Sequence, residues 1–100
     1  MTSKQRAYLK SIASNEDTIL MIGKGGMSEQ IVKQADDALT ARELIKGKVL
    51  ESAEESAADY AAYLAEQTKS EVVQVIGSKF VLYRRNEKEP KIVLPKSRKK

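Results

Sequence analysis

Residues 19–28 read ILMIGKGGMS: an apolar run, then glycine, lysine and two glycines, then methionine and serine. The run from Thr18 to Ile22 is short, rich in branched side chains and bounded by Gly23, which predicts a buried strand rather than a helix. Ser28 suits a helix N-cap, with Met27 before it placed to staple onto Val32 one turn in. Between strand and helix, glycines let backbone N–H groups approach a ligand without side chains in the way, and a lysine among them favours an anion such as phosphate.

The flanking segments continue this alternation. Thr2 to Ser14 places Tyr8, Leu9, Ile12 and Ala13 at helical spacing, with Lys4, Arg6 and Lys10 on the other side. The helix opened by Ser28 is expected to reach Thr40, burying Ile31, Ala35, Ala38 and Leu39. Glu43 to Leu50 alternates with period two, setting Leu44, Lys46, Lys48 and Leu50 on one side and Ile45, Gly47 and Val49 on the other, as in a half-exposed strand. Ser52 and Glu55 form a capping-box pattern before a third helix expected from Ala53 to Thr68. VVQVIGSKFVLYRR is two apolar runs around Gly77-Ser78, a two-residue hairpin with glycine first. Beyond Arg85 the charges and isolated prolines predict an irregular segment, with Lys91 to Leu94 packing back as an edge, then a frayed basic tail. The order α-β-α-β-α-β-β implies an α/β (α+β) fold, a four-stranded mixed sheet with three helices covering at least one face.

Composition narrows the function. At 100 residues the chain has the size of one domain. It contains no cysteine and no histidine, which removes disulfides, thiolate metal sites, the commonest metal ligand and the commonest general base. No catalytic residue, metal site or cofactor is assigned. The start MTSKQRAYLK lacks a signal-peptide apolar region and no run approaches the ~20 apolar residues of a membrane span, so a cytoplasmic protein without membrane contact is expected. The net charge of +4 is unevenly spread: residues 1–26 carry +2, residues 27–70 carry −4 and residues 71–100 carry +6. A fold that sorts these charges onto opposite surfaces would give a nucleic-acid-binding face.

The glycine loop fits some phosphate sites and not others. The dinucleotide fingerprint G-x-G-x-x-G fails because Ser28 stands where its third glycine belongs, and Glu43 starts the second strand instead of ending it. The P-loop fails because no glycine at the required spacing is followed by lysine and a hydroxyl residue. G-x-x-G does fit, as Gly23-Lys24-Gly25-Gly26, the loop with which KH-type domains clamp a nucleic-acid backbone beside a helix N-terminus. A tight turn and nothing more is the alternative reading of these four residues.

The stretches KQRAYLKSIA, ILMIGKGGMS, ARELIKGKV, VVQVIGSKFVLYRR and KIVLP together resemble a CRM domain of the stand-alone bacterial, YhbY-like type, from about Lys4 to Pro95. The resemblance implies the strand and helix order above, a likeness to the C-terminal domain of translation initiation factor three, and association with the maturing large ribosomal subunit. It implies a CRM-like RNA-binding domain over residues 1–95 with a basic tail at 96–100. Carried over residue by residue, the RNA-proximal loop is Gly23, Lys24, Gly25 and Gly26; the basic first helix gives Lys4, Arg6 and Lys10; the end of the last strand gives Arg84 and Arg85. Arg42, Lys46 and Lys48 lie in the matching second-strand region. With Phe80 and four tyrosines as the whole aromatic content, and Phe80 and Tyr60 expected in the core, phosphate contact and RNA shape explain affinity better than base stacking. The expected partner is RNA, specifically ribosomal RNA of the large-subunit precursor, bound by a monomer. The competing reading is a module that docks on ribosomal proteins or assembly factors through its acidic helices, with Asp36, Asp37, Glu54, Glu55 and Asp59 as contacts.

Overall fold

The computed structural model describes residues 2–94; the expected boundary at residue 95 and the basic tail lie outside the described residues. Helix α1 (Ser3–Ala13) is opened by Thr2, whose hydroxyl accepts from the Gln5 amide while the Gln5 side chain accepts from the Thr2 amide. Strand β1 (Thr18–Ile22) leads through the glycine loop into α2 (Glu29–Arg42), capped by Ser28 as expected. Strand β2 (Leu44–Val49), helix α3 (Ala57–Thr68) and the hairpin β3 (Glu71–Ile76) and β4 (Lys79–Tyr83) follow. Gly77 turns the hairpin at φ +57°, a left-handed conformation that glycine adopts without steric cost.

The sheet order is β1-β2-β4-β3, with β1 parallel to β2 and the other pairs antiparallel. Helices α2 and α3 cover one face and α1 the other. Strand β4 is central and buries both sides: Phe80 and Leu82 join Leu20, Ile22, Ile45, Leu39 and Leu64 under α2 and α3, while Val81 and Tyr83 join Leu9, Ala13, Leu44 and Val73 under α1. This arrangement matches the expected four-stranded mixed sheet with three helices.

Two expectations need correction. The third helix starts at Ala57, not Ala53, because Ser56 is the cap that accepts from the Asp59 amide. Residues Leu50 to Ala53 instead form a turn closed by the Ala53 amide on the Leu50 carbonyl, and the Tyr60 hydroxyl receives the Glu55 amide just ahead of the helix. Lys91 to Leu94 pack back without forming a strand: Ile92 and Leu94 lie against the α1-side core.

What holds that segment is Glu43, a fully buried carboxylate between α2 and β2. Its oxygens accept from the amides of Asn86 (2.6 Å), Ile92 (2.7 Å) and Lys91 (2.8 Å). Burial alone pushes this carboxyl up, but the three amides and the nearby Arg85 charge more than offset it and hold its pKa below the ordinary value.

Candidate nucleic-acid interface

The glycine loop is a four-residue turn, closed by the Gly26 amide donating to the Gly23 carbonyl at 2.8 Å. Gly26 sits at φ +67°, and a Cβ there would lie 3.4 Å from the Tyr60 hydroxyl oxygen; a Cβ on Gly23 would lie 3.3 Å from Leu50 Cδ1. Those two glycines serve the fold. Gly25 has an ordinary φ, and a Cβ added to it would meet no atom within 4 Å, so its exposed backbone is open to solvent beside exposed Lys24. Behind the turn, Ser28 occupies one amide of the α2 N-terminus, that of Ile31 at 3.3 Å. The positive end of the helix dipole faces the loop, opposed in part by the Glu29 carboxylate in the first turn.

Strand pairing brings further lysines to this end of the sheet. Ile22, the residue before the loop, pairs with Val49, and the Leu50 amide donates to the Ile22 carbonyl. On β2, Lys46 and Lys48 share the α1 side with Leu44, as the alternation predicts. Lys48 is the direct partner of Lys79 across β4, and Lys10, near the end of α1, lines the same groove as Lys46 and Lys79. None of Lys10, Lys24, Lys46, Lys48 and Lys79 has a carboxylate partner among the described residues. The result is a lysine surface on the α1 face, at the loop end of the sheet, on which Met21 stays 60% exposed.

Other basic residues singled out in the sequence are placed elsewhere. Arg84 follows β4 at the end opposite the loop, and its guanidinium is already engaged within the chain by the Asp36 carboxylate (2.6 Å), the carbonyls of Thr68 and Asp36, and the Thr40 hydroxyl. It fastens α2 and the end of α3 to the sheet. Arg85 is exposed at that same far end, where its charge acts on Glu43. Arg6 donates to the Val72 and Val73 carbonyls at 2.7 and 2.9 Å, where the pairing of β3 with β4 is irregular, and so secures α1 to an edge strand. Lys4 is exposed on the first turns of α1, away from the lysine groove that Lys10 reaches. Thus the structure gathers Lys46, Lys48 and Lys10 on one face, sets Lys24 in the loop at the end of that sheet, and does not join Lys4, Arg6, Arg84 and Arg85 to them.

Lys79 was missed by sequence reasoning; its signal was the turn at Gly77-Ser78, which fixes its place in the hairpin, but its position beside Lys48 depends on β4 pairing with β2. Of the acids offered as docking contacts, Asp36 and Asp37 lie on α2, Asp59 on α3 and Glu54 and Glu55 just ahead of α3, in the layer on the other side of the sheet. There Asp36 is engaged by Arg84 and Asp37 pairs with Lys33 at 3.4 Å. No described helix is long and apolar enough to cross a membrane, and the described residues contain no group of three or more acidic side chains able to hold a metal ion.

A family model described as CRS1 / YhbY (CRM) domain matches residues 1–84. The "Probable RNA-binding protein YqeI" of Bacillus subtilis is 41% identical over 95 residues, covering 95% of this chain and 99% of that protein. An "RNA-binding protein" of Haemophilus influenzae is 35% identical over 96 residues, 96% of each chain. The solution structure of a hypothetical protein from Staphylococcus aureus superposes with a TM-score of 0.78 at 48% identity, covering 95% of this chain and 99% of that one. The names of these relatives specify RNA binding and no catalytic activity.

Proposed function

Since the chain belongs to the CRS1 / YhbY (CRM) domain family, we propose that it is an RNA-binding protein that grips the phosphate backbone between its G-x-x-G turn and the lysine surface on the α1 face. The observation that carries this reading is the cross-strand pair of Lys48 and Lys79 at the end of the sheet where the loop with Lys24 leaves β1, with Lys46 and Lys10 behind them and no ion-pair partner for any of these lysines among the described residues. Cations held together without counter-charges repel one another, and a polyanion laid across them removes that repulsion. Gly25 adds an unobstructed backbone at the point where a phosphate approaches the N-terminus of α2.

The RNA we assign is ribosomal RNA of the large-subunit precursor, with the protein acting as an assembly factor in the cytoplasm. This assignment follows the family resemblance. Crosslinking in cells, followed by sequencing of the attached RNA, tests it: reads concentrated in large-subunit precursor RNA are expected, and reads spread over messenger and transfer RNA would overturn it. The placement of the grip is tested separately with Gly25→Asp and Lys24→Ala, which should weaken binding to every RNA sequence alike, because phosphate contacts carry no base code.

A further inference from the structure

The lysine surface contains a pocket. Between the end of α1 and the sheet lies a cavity of about 260 Å³, just below the ~300 Å³ at which small-molecule sites begin. Its walls are apolar: Val81 and Ala13 are buried, and Ile76 stands at one side with 62% of its surface exposed. Lys10, Lys46 and Lys79 surround them. Two uncharged polar groups also reach the cavity. The Gln74 side-chain amide, half-buried, has no hydrogen-bond partner among the described residues, and it offers a donor and an acceptor together. The Ser14 hydroxyl donates to the Ser11 carbonyl at 2.7 Å and keeps its lone pairs free to accept.

The irregular pairing of β3 explains why Gln74 is there. Val72 pairs with Leu82 and Gln74 with Val81, so Val73 is the extra residue. A bulge of this kind turns two successive side chains toward one face and re-aims the second. Val73 fills the α1-side core, and Gln74 lines the cavity beside it.

We propose that this cavity receives one unstacked base of the bound RNA, in a site that reads the base edge through Gln74 while Lys10, Lys46 and Lys79 hold the adjoining phosphates. The proposal rests on the RNA-binding reading and goes beyond it, because a backbone grip alone has no base preference. The volume admits a single ring system, its apolar walls take the faces of the base, and the amide pairs with its edge. No aromatic side chain lines the cavity, so the base is held by insertion and not by stacking.

The test titrates the ¹⁵N-labelled full chain with each of the four nucleoside 5′-monophosphates and, separately, with ribose 5-phosphate, following the amides of Ser14, Gln74, Ile76 and Lys79. Saturable shifts are expected with at least one nucleotide, at an affinity about tenfold or more above that of ribose 5-phosphate. Gln74→Leu should remove the preference among the four nucleotides, while the lysines still retain a long ribosomal RNA fragment on a filter. Shifts of equal affinity with ribose 5-phosphate, no shifts at these amides, or a nucleotide preference that survives Gln74→Leu would overturn the base site. If the parent chain still retains the long RNA in those cases, only the base site is lost; if it retains no RNA, the RNA-binding reading falls as well.

Discussion

Lys48 and Lys79 are direct partners in the antiparallel pairing of β2 with β4, two like charges facing each other on one side of a sheet. Such a pair destabilises a sheet, and neither lysine has a carboxylate nearby to offset it among the described residues. A fold selected only for stability would place an acid at one of the two positions.

Lys79→Glu is therefore expected to separate stability from binding. It should raise stability by about 0.5–1 kcal/mol, by turning a repulsive cross-strand pair into an attractive one. RNA affinity should fall at the same time. Urea denaturation and an RNA titration on the same variant check both halves.

Gly47→Ala should be costly although it adds one methyl group. Gly47 lies opposite Phe80, and a Cβ there would come within 2.7 and 2.8 Å of the ring's Cε atoms. Phe80 is buried on the α2 and α3 side, so the ring has little room to yield. Overpacking of this kind costs about 1–3 kcal/mol. At about 4–8 °C per kcal/mol for a domain of this size, the fall in Tm is readily measured. RNA binding well below the new Tm should be unaltered.

Arg84→Gln should lower stability by about 1–2 kcal/mol, through loss of the charge-assisted bonds to Asp36 and the Thr68 carbonyl, discounted for the exposure of Asp36. It should leave the salt dependence of RNA binding nearly unchanged. Thermal melts and titrations at several salt concentrations check this. A shallower salt slope would put Arg84 back on the RNA face.

Glu43 makes the docking of residues 86–92 sensitive to acid. Its folded pKa lies below the ordinary 4.5, so its contribution to stability is fully present above that value and is lost as pH falls through the lowered one. Glu43→Gln should weaken the protein at neutral pH and flatten its loss of stability on acidification. Denaturation curves across that pH range, for parent and variant, provide the check.

Much of this fold can be read along the chain, since β1, the Ser28 cap and the hairpin turn are each marked by local chemistry. Where local chemistry repeats itself, reading fails. Ser52-Ala-Glu-Glu55 and Ser56-Ala-Ala-Asp59 carry the same capping pattern, and only the packing of Tyr60, with its hydroxyl beneath the Glu55 amide, selects the second. The site shows the same limit. Period-two alternation puts Lys46 and Lys48 on one face, but Lys79 joins them only through the β2–β4 register. Adjacent Arg84 and Arg85 look alike in sequence, yet one is held by Asp36, Thr40 and Thr68 while the other faces solvent.

The salt dependence of RNA affinity tests the central claim most directly. If Lys10, Lys24, Lys46, Lys48 and Lys79 contact phosphates of a single-stranded segment, log K against log salt should fall with a slope of about −3 to −4, at roughly −0.7 per phosphate. Replacing Lys46, Lys48 and Lys79 together by Gln should make that slope shallower by about two units. A flat dependence in the parent protein, or a triple variant with the parent's slope, would contradict the account.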